Sequence, residues 1–172
     1  EQRRIRMGND YTEMQNIKGA IVSWQSMSGT APYVESYQLT INIKSIVGPR
    51  PDYRDSHIVT VTLPADYPTA APKIVMRSQP KPFHPNWFAD GRWCYGTWDI
   101  SEGLGHHVIR MIRTLQFDPE ITQPASAADG AAANWYASSQ SRGWFPCDRQ
   151  SLPDPTKARF TLDSGKKTFI VG

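Results

Sequence analysis

The sequence predicts an α+β domain, and three observations predict it. A run of β-branched, period-two segments occupies the first half; an irregular stretch dense in Pro, Gly and Trp follows; the second half returns to helical spacing. At 172 residues the chain is one domain's length. Hydrophobic residues make up 39% and charged residues 20%, which is ordinary for a globular core and unlike a disordered chain.

The elements follow in order. Residues 1–16 carry Ile5, Met7, Tyr11 and Met14 at loose helical spacing, interrupted by Gly8 and Asn9, which predicts a short or broken helix. Four runs then alternate: Ala20–Trp24, Tyr37–Ile43, His57–Leu63 and Lys73–Met76. Bounded by Gly, Pro, Asp and Ser, they predict a four-stranded antiparallel meander. Residues 78–105 read as a long loop, and a loop of that length inside a domain is commonly functional. His106–Phe117 places Val108, Ile109, Met111, Ile112 and Leu115 on a helical stripe with Arg110 and Arg113 opposite. A second helix is expected at about Ala125–Ser139. Beyond it the chain is Pro-rich, and two alternating runs around Ser164-Gly165 predict a small hairpin.

Composition excludes several function classes. Lys and Arg total 19 against 16 for Asp and Glu, a net charge of +3, too slight for a nucleic-acid partner. No run approaches the roughly 18 apolar residues of a membrane span, so no membrane is expected either. Two cysteines, Cys94 and Cys147, can build neither a disulfide scaffold nor a four-cysteine zinc site. His84, His106, His107 and Cys94 lack any recognised ligand spacing, so no metal or cofactor is expected. Free thiols without a targeting segment point to a cytoplasmic protein.

The loop narrows the reading. It contains Phe83-His84-Pro85-Asn86-Trp87, then Asp90-Gly91-Arg92-Trp93-Cys94-Tyr95, and Asp118-Pro119 follows the next helix. Tyr67-Pro68 and Ala71-Pro72 precede the fourth strand. With His-Pro-Asn eight positions before a cysteine, this resembles the ubiquitin-conjugating (E2) enzymes in a divergent form similar to bacterial relatives. The likeness spans about residues 1–140. It implies a UBC-like fold over residues 1–145 with a tail over 146–172, and a setting in bacterial defence.

The resemblance also assigns roles. Cys94 would accept a ubiquitin-like modifier from an E1-like activating enzyme and carry it as a thioester to an amine of a protein acceptor. Chemically this is sound, because thiolate leaves more readily than an amine. Asn86 offers a neutral amide donor of the oxyanion-hole type, or braces the loop as Asn does in turns. His84 would brace the loop. The family's acidic or Ser position beyond Asp-Pro falls on Gln123, which cannot take a proton; Asp99 is the alternative for activating the incoming amine. Arg3, Arg4 and Arg6 form a basic cluster that the resemblance reads as the activating-enzyme docking helix. A non-catalytic UBC-like binding module for a modifier or activating enzyme is the competing reading, and a cysteine hydrolase lacks a convincing His partner for the thiol.

Overall fold

The computed structural model describes residues 1–157, 160–163 and 166–169. It has an N-terminal helix, a four-stranded antiparallel sheet and C-terminal helices.

Helix α1 runs unbroken from Gln2–Asn16, so the expected interruption at Gly8 and Asn9 is absent. Gly8 costs roughly 1 kcal/mol relative to Ala in a helix. Met7, Asp10 and Met14 are buried along one stripe, and their burial outweighs that local penalty.

The sheet comprises β1 (Val22–Thr30), β2 (Tyr33–Ile41), β5 (His57–Thr62) and β6 (Lys73–Met76), in the spatial order β1-β2-β5-β6. β3 (Ser45–Gly48) and β4 (Asp52–Arg54) form a separate two-stranded ribbon between β2 and β5. The four strands appear in the expected order but with other bounds: β2 begins at Tyr33 rather than Tyr37 and ends at Ile41 rather than Ile43, β5 ends at Thr62 rather than Leu63, and the β3–β4 ribbon is not among the expected strands. β1 starts at Val22 rather than Ala20 and continues to Thr30. Its second half is exposed on both faces, so no hydrophobic alternation marks it; backbone pairing with β2 makes it a strand. Across the sheet, Leu39 pairs with Val59, which pairs with Met76, and Tyr37 with Val61, which pairs with Ile74. These side chains are buried against Met7 and Met14 of α1 and against the stripe of α2.

Helix α2 spans Leu104–Leu115, two residues earlier at both ends than the sequence suggests. Its N-cap, Gly103, has no side chain, and α1 supplies the cap instead. Asp10 Oδ1 accepts from the Leu104 N–H at 3.0 Å; Glu13 Oε1 accepts from the Gly105 and His106 N–H groups at 2.9 and 3.3 Å. Three donors left over by the helix geometry are thereby satisfied by two carboxylates, which also complement the positive end of the helix dipole. At the other end Phe117 leaves the helix with φ of 55°. The Asp118 N–H bonds the Arg113 carbonyl and the Phe117 N–H the Thr114 carbonyl, a Schellman closure with Phe where Gly is usual. Full burial of the Phe117 ring, 4.4 Å from the His84 ring, offsets the left-handed backbone.

Helix α3 is Gly130–Ser138, shorter than the expected Ala125–Ser139. Asp129 accepts from the Ala132 N–H and starts it there, while Pro124–Ser126 make only a 3-10 turn. Residues 146–157 run along the domain: the Cys147 N–H donates to the Gln116 carbonyl at 2.8 Å, and Asn16 Nδ2 to that of Pro155 at 2.8 Å. The strands β7 (Phe160–Asp163) and β8 (Lys166–Phe169) pair antiparallel as expected. Their connection, Ser164 and Gly165, lies outside the described residues. No helix among the described residues is long and apolar enough to cross a membrane.

Candidate active site

The loop after β6 is lashed to the edge of the sheet. The Trp93 N–H donates to the Ile74 carbonyl at 3.0 Å and the Met76 N–H to that of Gly91 at 2.8 Å. Gly91 is required there. Its φ is 93°, and a Cβ would stand 2.7 Å from the Met76 carbonyl oxygen. Trp87 and Trp93, bridged to each other, bury their rings and fix the segment that ends in Cys94.

Cys94 is half-buried at the lip between two clefts. One, about 210 Å³, is lined by Asn86, Arg110, Thr114, Glu120 and Gln123. The other lies toward β6 and is lined by Pro72, Lys73, Ile74, Phe88 and Arg92. Trp93, Tyr95 and Gly96 belong to both.

Asn86 is tied in from three sides. The Cys94 N–H donates to its carbonyl at 2.9 Å, and its own N–H donates to His84 Nδ1 at 2.9 Å. Its side chain exchanges two hydrogen bonds with the Gln123 backbone: Nδ2 to the carbonyl at 3.2 Å, and the Gln123 N–H to Oδ1 at 3.0 Å. Asn86 therefore joins the loop before the thiol to the segment after α2, and its amide nitrogen retains a second N–H. Gln123 takes part through its backbone.

His84 is fully buried and accepts through Nδ1. Burial, with Lys81 nearby, pushes its pKa down to about 3, so the ring is neutral. It braces Asn86 from behind. Asp99 does not share a cleft with the thiol; it lines a separate one with Arg6, Asp10 and His106. The Ser101 hydroxyl and N–H, at 2.7 and 2.9 Å, hold its carboxyl below the usual range.

The arginines of α1 divide. Arg4 is exposed over the Tyr33 ring at 4.3 Å, and Arg3 bonds the Pro64 carbonyl and faces Glu35 at 3.7 Å. Arg6 turns inward. It pairs with Asp10 at 3.0 Å and donates to the carbonyls of Ile100 and Glu102, stapling α1 to the loop after Cys94.

Two parts of the site escaped the sequence reading. Glu120, two residues past Asp118, is the one carboxylate lining the cleft it shares with Cys94, and it pairs with Arg113 at 2.8 Å. Arg110 grips Glu102 through Nε and Nη2 at 2.9 and 3.0 Å while Nη1 donates to the Tyr95 carbonyl, one residue past the thiol. His107 is buried among Trp93, Tyr95 and Trp98 and donates from Nδ1 to Glu102 at 2.8 Å. Burial lowers its pKa despite Glu102, and the ring is neutral. In the sequence Arg110 is legible only as a polar residue opposite the apolar stripe.

Cys147 differs from Cys94. Burial pushes its thiol up to about 12, and it donates to the Lys44 carbonyl at 3.2 Å. Among the described residues, no group of three or more His, Cys, Asp or Glu is arranged to hold a metal ion.

No protein-family model matches the chain, and no curated protein matches it.

Proposed function

We propose that this chain is a UBC-like conjugating enzyme that carries a ubiquitin-like modifier on Cys94. The supporting observation is the half-buried thiol between two clefts, on a loop clamped by Asn86 from one side and by Arg110 from the other. A carrier needs that combination of access and rigidity, whereas Cys147 is internally bonded.

Loading is a thioester exchange. The Cys94 thiolate attacks the carbonyl carbon of the modifier's thioester on the activating enzyme, a new C–S bond forms, and the activator's thiolate leaves. Transfer follows when an amine of a protein acceptor attacks the same carbon from the Asn86 and Glu120 cleft. The free N–H of Asn86 is the donor for the developing oxyanion. Glu120 takes the amine's proton, and the Cys94 thiolate leaves as the amide forms.

Incubation with an activating enzyme, its modifier and ATP, read on a non-reducing gel, tests the proposal. Wild type should give an adduct that reductant removes, and Cys94→Lys one that reductant does not. Glu120→Gln should load normally and transfer at least tenfold more slowly at neutral pH. An identical band pattern for wild type and Cys94→Ser, with no reductant-sensitive adduct, refutes it and leaves the binding-module reading.

A further inference from the structure

Cys94 has two unlike flanks. Its cleft with Glu120 offers an acceptor for protons. The cleft toward β6 encloses about 530 Å³, within the range of ligand sites. Pro72, Ile74, Phe88 and Trp93 give it apolar walls, and its charged lining residues are both cations, Lys73 and Arg92.

These cations are available in different degrees. Lys73 is exposed, and among the described residues it has no ion-pair partner. Arg92 pairs with Asp90 at 2.8 Å, but that pair is half exposed and two residues apart, a geometry that holds little energy. Its guanidinium also lies 4.6 Å over the Phe88 ring, which seats the charge on an apolar wall. Lys73 opens β6, and Arg92 stands in the segment that bridges to Val75 of the same strand, so the cations belong to adjacent, rigid stretches of backbone.

Resting on the carrier reading above, we propose that this cleft selects modifiers with an acidic tail. A chain joined through its terminal carbonyl to Cys94 and running extended advances about 3.3 Å per residue. With the Asn86 and Glu120 cleft assigned to the attacking amine, the few residues before the carried carboxyl take the other cleft that the thiol borders, the one toward β6. Acidic side chains there meet Lys73 and Arg92, basic ones meet like charge, and small apolar residues suit the walls. The discrimination is electrostatic and acts on the residues upstream of the reacting carbon.

The test uses two synthetic peptides, ending Asp-Ala-Asp-Gly-Gly or Lys-Ala-Lys-Gly-Gly, as α-thioesters of mercaptoethanesulfonate. Exchange onto Cys94 releases that small thiolate and needs no oxidant or further reactant. Rates are read by intact mass, mapped to Cys94, and divided by the rates with free cysteine. The acidic peptide should react about tenfold faster at low ionic strength, and the ratio should shrink toward one at about 0.5 M salt. Lys73→Glu combined with Arg92→Gln should invert the preference; Lys73→Gln alone, at an exposed site, should reduce it. Equal normalised rates, a salt-independent ratio, or a ratio unmoved in folded variants overturns the selectivity while the carrier reading stands. Failure of both peptides to acylate Cys94, when iodoacetamide alkylates it readily, overturns the carrier reading and this inference with it.

Discussion

Glu102→Gln is the most informative single change, because Glu102 lies where α1, α2 and the loop after Cys94 converge. Its carboxylate accepts from His107 at 2.8 Å and from Arg110 at 2.9 and 3.0 Å, with the side chain 18% exposed. Burial works to raise its pKa; the hydrogen bonds from His107 and Arg110 outweigh that and hold it at about 2, against an ordinary 4.5. A depression of that size contributes about 3 kcal/mol at neutral pH. The sign is fixed: a depressed carboxyl stabilises above its unfolded pKa and loses that contribution as pH falls toward 2. About 2 kcal/mol of it is gone by pH 3. Glutamine keeps the shape, removes the charge and turns an amide toward the Arg110 donors. Urea unfolding followed by tryptophan fluorescence should show the variant about 2–3 kcal/mol less stable at pH 7, and should show wild type losing about 2 kcal/mol more than the variant between pH 7 and pH 3. His57 and His84, both buried with lowered pKa values, destabilise wild type and variant alike as pH falls, whereas His107 bonds the Glu102 carboxylate and titrates with it, so the difference reports the Glu102–His107 pair. A variant within about 0.5 kcal/mol of wild type at pH 7, or with the same pH slope, refutes the account.

Three further predictions concern Gly105, Gly8 and Asn86. Gly105→Ala should cost about 1–3 kcal/mol in thermal unfolding, because its Cβ would stand 2.7 Å from that of Glu13 and 2.9 Å from that of Pro155. Gly8→Ala, with nothing within 4 Å, should instead stabilise by up to about 1 kcal/mol. Asn86→Ala should slow acyl transfer from Cys94 by about 100-fold or more and lower the melting temperature, since the Gln123 N–H loses its acceptor. Asn86→Asp restores that acceptor but no amide donor; recovery of stability without recovery of transfer rate in a single-turnover assay separates bracing from oxyanion donation, and recovery of both refutes the donor role.

What was legible in the sequence was local. β2 and β5 alternate, with Leu39, Val59 and Val61 on the packed face, and the alternation names them; β6 is a short apolar run, Ile74, Val75 and Met76, buried on both faces. The outer half of β1 is exposed on both faces, and the β3–β4 ribbon is too short for a period to show. Asn86 and Gln123 are both singled out by the family resemblance, and the fold brings them together through reciprocal side-chain and backbone bonds. Asp99, five residues past Cys94, is close in sequence yet turned into another cleft by its bonds to Ser101. The Arg110–Glu102–Tyr95 clamp joins residues 8 and 15 positions apart across a helix end, which no periodicity reports.

Helix α1 links these observations. Three of its charged residues act inward: Asp10 and Glu13 cap α2, and Arg6 ties down the carbonyls of Ile100 and Glu102. Glu102 then holds Arg110, and Arg110 holds the carbonyl of Tyr95, next to the thiol. The position of Cys94 thus depends on charges from the first thirteen residues, none near it in sequence. Because Gly103 and Gly105 contribute no side chains, the start of α2 lies open to those carboxylates: a Cβ at either glycine would collide with Glu13. Gly105, which would weaken an isolated helix, and the N-cap Gly103 together let α1 close on α2 and fix the far side of the Cys94 loop.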